Sequence, residues 1–154
     1  MTYPEKGQKA PEFAAADQDG NTVSLKDYSG SKLVLYFYPK ASTPGCTAES
    51  CNLRDNYEAL LEKGVKIIGV SADSAKRQQN FKAKNDLPFP LIPDTEKEII
   101  NAYGVWGQKK MYGKTYEGIH RMTFLIDEEG NIMHVFSKVK TKDHTSQILE
   151  VLNQ

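Results

Sequence analysis

Cysteine is scarce in this chain. Two residues, Cys46 and Cys51, cannot supply the disulfide framework that holds small secreted folds together. Histidine is nearly as scarce. His120, His134 and His144 show no metal-ligand spacing to one another or to the cysteines, so no metal site is expected. Solvated or hydrogen-bonded roles are expected for His134, within a strand, and His144, at a helix start. No apolar run exceeds the six residues Leu33–Tyr38, against the ~20 needed to cross a bilayer. Charge of one sign is not in excess either. The 20 basic and 20 acidic residues cancel, which excludes a global field for nucleic acid or an anionic membrane. A glycine-rich cofactor fingerprint is missing, so no bound cofactor is expected. The N-terminus, MTYPEKGQKAPEF, has no apolar core of the kind a secretory signal needs, and a cytoplasmic protein is expected. In a reducing compartment a disulfide is usually transient, and catalytic or redox-sensing. Few cysteines thus focus attention on the two that remain.

What is present suits one α/β domain spanning residues 1–154. ADQDGNTVSL reads as a hairpin turning at Asp19-Gly20. KLVLYFYP is β-branched and aromatic without alternation, the pattern of a strand buried on both faces. TAESCNLRDNYEALLEKG reads as one helix, with Leu53, Tyr57, Leu60 and Leu61 on a face and Gly64 as its stop. VKIIGVSA is a second buried strand, and strand–helix–strand makes a βαβ unit with parallel strands. AKRQQNFKAKN is a more polar helix, and LPFPLIPD is a proline-punctuated connection with room for a very short strand. TEKEIINAYG places Thr95 and Glu98 at capping-box spacing. RMTFLID and NIMHVFSK form an antiparallel hairpin across EEG, and DHTSQILEVLN closes the chain as an amphipathic helix. The sheet is therefore mixed.

Both cysteines fall in YPKASTPGCTAESCNL, Tyr38 to Leu53. Pro44-Gly45 forces a turn, so Cys46 is expected in the first helical turn, beyond the carboxyl end of a strand. Ligands of open α/β sheets bind there, and free N–H groups and the helix dipole favour a thiolate. A small buried hydrophobe is the competing reading of the same residue. Five residues along an ideal helix give a rise of ~7.5 Å and a rotation of ~500°, placing the Cα atoms ~8–9 Å apart. A disulfide bridges at most ~7 Å. Pairing therefore requires the first turn or two of the helix to unwind, and two unrelated thiols, one reactive at most, remain an open reading of the spacing.

Pro39, Thr43 and Cys46 make a PxxxTxxC motif that resembles the peroxiredoxins, thiol peroxidases without metal or haem. FYPKASTPGCTAESC is similar to the bacterioferritin-comigratory-protein (Prx Q) branch. GQKAPEF, DGNTVSLKDYSG, VKIIGVSAD, LPFPLIPD and GIHRMTFLID extend the likeness along essentially the whole chain, in order. The resemblance implies a thioredoxin-like fold with an N-terminal β-hairpin extension and a mixed central sheet flanked by helices. It implies that Cys46 attacks the peroxide, and that Thr43, Gly45 and Arg121 bind substrate with it. Pro39 shields the site, and Cys51 resolves the sulfenic acid through a Cys46–Cys51 disulfide. Hydrogen peroxide and organic hydroperoxides are the implied substrates. The implied partner is thioredoxin or a similar dithiol reductant, acting on a monomer. Ser42 stands where relatives often carry an acidic residue.

Glu49, one turn beyond Cys46, reads either as a partner of the site or as a solvated first-turn carboxylate. The Tyr103–Lys114 stretch, with Trp106 and three lysines, reads as a loop wall beside the site rather than a nucleic-acid patch. Two other functions compete. A non-enzymatic thioredoxin-fold binding or redox-sensing module requires neither cysteine for peroxide turnover. A cysteine hydrolase using Cys46 and His120 leaves Cys51 idle.

Overall fold

The computed structural model describes residues 2–154. In chain order the strands are β1 (Ala14–Ala16), β2 (Thr22–Ser24), β3 (Lys32–Phe37), β4 (Val65–Ser71), β5 (Leu91–Pro93), β6 (Trp106–Met111), β7 (Lys114–Ile119), β8 (Met122–Ile126) and β9 (Ile132–Phe136). The helices are α1 (Pro44–Asp55), α2 (Tyr57–Glu62), α3 (Ala75–Lys84), α4 (Glu98–Ala102) and α5 (His144–Leu152).

The apolar run Leu33–Tyr38 is buried throughout because β3 lies at the centre of the five-stranded sheet β5-β4-β3-β8-β9. It pairs parallel with β4 and antiparallel with β8, so Val34 lies between Ile67 and Leu125. Leu33, Leu35 and Phe37 join Ile68, Val70 and Phe124 on one face, closed by Ile99, Ile100 and Tyr103. Val34 and Tyr36 point the other way, toward Leu53, Leu60, Phe81 and Ile148 of α1, α2, α3 and α5. Neither face meets water, which removes the alternation seen in half-buried strands. The hairpins β1–β2 and β8–β9 form as the turn residues imply.

Three elements depart from the sequence reading. The long helix expected over 47–64 breaks at Asn56, which separates α1 from α2. Its side-chain amide donates back to the Asn52 carbonyl at 2.8 Å, and its φ of −112° leaves the helical range. The Thr95–Glu98 capping box does not form. Asp94 accepts the N–H groups of Glu98 and Ile100 instead, so α4 is only five residues long. The Tyr103–Lys114 stretch is no open loop: Trp106–Met111 pairs antiparallel with Lys114–Ile119. Tyr112 and Gly113 turn it with φ of 52° and 77°, both positive as a two-residue type I′ turn requires. Most of its side chains are exposed, so no apolar alternation advertises the strands. Among the described residues no helix is long and apolar enough to cross a membrane.

Candidate active site

Thr43 is the extended N-cap of α1, Pro44 opens the helix, and Cys46 falls in its first turn, fully buried. The approach is held tightly. Ser42 adopts a left-handed φ of 66°, and the Ala41 N–H donates to Asp73 Oδ2 at 2.7 Å. Asp73 also accepts the Ser71 hydroxyl from the end of β4, which ties the cysteine loop to the sheet.

Arg121 comes from the junction of β7 and β8, seventy-five positions from Cys46. Its Nη2 donates to Cys46 Sγ at 3.2 Å, and its Nη1 to Glu49 Oε1 at 2.7 Å. One planar fork thus reaches two potential anions. Gly45 eases this approach, since a Cβ there would lie 3.2 Å from Nη2 and crowd the guanidinium. Burial opposes the charge on Arg121, but Glu49 and Cys46 outweigh it and raise the guanidinium above its ordinary value.

Glu49 is not a solvated carboxylate. It is fully buried, and burial pushes it from 4.5 up to about 7 against the pull of Arg121. Its Oε2 has no hydrogen-bond partner among the described residues. His144 Nε2 lies 3.9 Å from that oxygen. His144, expected at a solvated or hydrogen-bonded helix start, is wholly buried and hydrogen-bonded at both ring nitrogens. Gln147 donates its amide to the Lys138 carbonyl and accepts the Lys140 N–H on Oε1. His144 Nδ1 therefore carries the hydrogen toward that oxygen, and Nε2 accepts from the Thr123 hydroxyl. Burial, reinforced by Arg121, holds His144 down to about 4 despite Gln147, so it is neutral at pH 7 and its contact with Glu49 is no ion pair. The sequence offered no signal for this link except a histidine at a helix start.

The Glu49 proton has a measurable consequence. The unfolded chain releases it near pH 4.5 and the folded chain near 7. Between those values the native state binds more protons, so its stability falls as pH rises through the window. The loss reaches about 3 kcal/mol above the upper value. Urea unfolding at pH 5 and pH 8 should show wild type losing about 2–3 kcal/mol relative to Glu49→Gln. Parallel behaviour of the two proteins would place the proton elsewhere.

The remaining sequence-derived residues are placed less directly. The Thr43 hydroxyl donates to the Lys40 carbonyl at 2.8 Å rather than to Cys46. Pro39 is half-buried just after β3. Cys51 lies on the same helix as Cys46, partly exposed, with one weak contact to Asn85 Oδ1 at 3.6 Å, and both thiols are free. His120 pairs with the Gln108 carbonyl at 3.0 Å. Lys109 donates to the Ile119 carbonyl, and its ammonium is held down by burial and by the charge of Arg121, so the hairpin base lies within electrostatic reach of the site.

A buried thiol in a first helical turn, faced by a fixed guanidinium at the end of a mixed sheet, is an arrangement suited to thiol-dependent peroxidase chemistry. The AhpC/TSA family profile matches residues 6–135. The chain is 49% identical over 148 residues to peroxiredoxin Bcp of Bacillus subtilis, covering 96% of this chain and 94% of that one. It is 45% identical to peroxiredoxin Bcp of Escherichia coli, covering 96% and 95%. The bacterioferritin comigratory protein of Xanthomonas campestris, solved in trapped intermediate and ligand complexes bearing on its alkyl peroxide reduction, superposes with a TM-score of 0.85. That protein is 38% identical, with 92% of this chain and 90% of that chain covered. The chain belongs to the AhpC/TSA family, in its peroxiredoxin Bcp/Prx Q branch, and has the thioredoxin-like fold of that group.

Proposed function

We propose that the chain reduces hydrogen peroxide and organic hydroperoxides through Cys46 and Cys51, as a thioredoxin-dependent, two-cysteine peroxidase. The observation that carries this reading is the 3.2 Å bond from Arg121 to Cys46 Sγ at the start of α1. The Cys46 thiolate attacks one peroxide oxygen, the O–O bond breaks, and the departing alkoxide or hydroxide takes a proton. Cys46 becomes a sulfenic acid. In this reading Arg121, the free N–H groups at the start of α1 and the Thr43 hydroxyl orient the peroxide and meet charge on the leaving oxygen. Engaging substrate requires the Thr43 hydroxyl to turn from the Lys40 carbonyl. Gly45 lets the Arg121 guanidinium lie close, and Pro39 shields the site. The Cys51 thiol then attacks the Cys46 sulfur, expelling water and forming the disulfide. A dithiol of the thioredoxin type supplies two electrons to restore both thiols. An internal Cys46–Cys51 disulfide needs no residue from a second copy, so the proposed enzyme is a monomer, and the expected setting is the cytoplasm.

Intact mass and free-thiol count after one equivalent of hydrogen peroxide test the cycle. A monomer lighter by two hydrogens and without free thiols is expected within seconds. Cys51→Ser should consume one equivalent, gain oxygen at Cys46, and then stall. Thiols that persist for many minutes would favour the binding-module or the hydrolase reading.

A further inference from the structure

The α1 helix must be distorted for its two cysteines to meet, and the side chains that resist this are mostly polar. Between Cys46 and Leu53 the buried residues are Glu49 and Ser50, held by Arg121 and the Tyr36 hydroxyl. Cys46 sits within the apolar cluster with Tyr36, Tyr38 and Ala41, whereas Cys51 is partly exposed and its thiol has one weak hydrogen bond, to Asn85. Cys51 is therefore the more accessible of the two thiols, and Asn52 is its immediate neighbour.

Asn52 is bound to another helix altogether. Its Oδ1 accepts the Thr145 N–H at 2.8 Å, its Nδ2 donates to the Lys142 carbonyl at 3.2 Å, and its own carbonyl accepts the Thr145 hydroxyl at 3.3 Å. These bonds cap the start of α5. The residue at the N-cap position, Asp143, makes no side-chain cap, and its carboxylate takes the Ser146 hydroxyl instead. One residue of α1 thus performs the capping function for α5.

We infer that Asn52 is a positioning residue for the resolution step: its clamp on α5 holds Cys51 away from Cys46 and must open for the disulfide to form. The inference rests on Cys51 being the resolving thiol. Formation of the disulfide then removes the cap from α5, so that the C-terminal helix start senses the redox state of the site.

The test separates peroxide attack from resolution by rapid quench and mass spectrometry. In Asn52→Ala the first step should stay within about twofold of wild type, because Arg121 and Glu49 are untouched. Sulfenic acid should convert to disulfide about tenfold faster, the effect of losing ~1.4 kcal/mol of restraint. Less sulfinic acid should accumulate at high peroxide, since faster resolution shortens the life of its precursor. Asn52→Asp keeps the acceptor for Thr145 and adds charge favourable to a helix N-terminus, so resolution should return toward the wild-type rate. In wild type, amide exchange at Thr145 should be slow in the dithiol form and fast in the disulfide form. An unchanged resolution rate in Asn52→Ala, or equal protection of Thr145 in both forms, overturns the clamp. Wild type that forms no Cys46–Cys51 disulfide overturns the resolving role of Cys51, and the clamp with it.

Discussion

Cys46→Ser is expected to lower peroxide reduction by at least ~10³-fold, on a scale where removing a nucleophile can cost ~10⁶. The substitution is nearly isosteric, and a hydroxyl can still accept the bond from Arg121 Nη2, so the fold should survive. What disappears is the chemistry. A serine oxygen has no accessible oxidised state comparable to a sulfenic acid, and it remains protonated at neutral pH. Fold and function can therefore be read separately. The unfolding midpoint should change little, while peroxide consumption with a dithiol donor stops. Turnover at the wild-type rate would mean that the thiol beside Arg121 is a bystander.

Much of the scaffold around that thiol was legible in local sequence. β3 and β4 announced themselves through unbroken apolar runs, the β1–β2 and β8–β9 turns through Asp19-Gly20 and Glu129-Gly130, and the start of α1 through Pro44-Gly45. These signals act over a few residues, where propensity and periodicity apply. The features that escaped depend on distant partners or on exposed surfaces. Nothing near Glu49 announces that Arg121, seventy-two positions away, would bury beside it. Nothing near His144 announces the Thr123 hydroxyl. Both contacts, which decide between readings the sequence left open, follow from packing α1 and α5 on the same sheet face. The β6–β7 hairpin escaped for the opposite reason. Tyr112, 97% exposed, sits at the tip of a ribbon that presents little apolar alternation. The failed capping box shows a third cause: Asp94, one residue before Thr95, has a carboxylate that competes better for the same backbone donors.

Arg121→Leu should reduce the rate of Cys46 oxidation by about 10²–10³, the scale seen when one preorganised donor to a developing anion is removed. The argument turns on the two bonds of the fork. Nη2 faces the sulfur and Nη1 binds Glu49, so the carboxylate holds the guanidinium plane while the plane presents its charge to the thiol. Lysine can supply the charge but not both directed bonds, so Arg121→Lys should fall between wild type and leucine. Glu49→Gln should have a smaller effect in wild type, because a neutral amide oxygen still accepts Nη1–H. In the Arg121→Leu background it should have almost none on this rate, since the group it orients is gone. The double-mutant cycle is then strongly non-additive. Its first-step rates, followed by stopped flow at several pH values, decide the matter. Additive losses would make Glu49 and Arg121 independent contributors and leave the 2.7 Å ion pair a matter of folding alone. Loss confined to Arg121→Leu, with lysine fully active, would reduce the fork to a point charge.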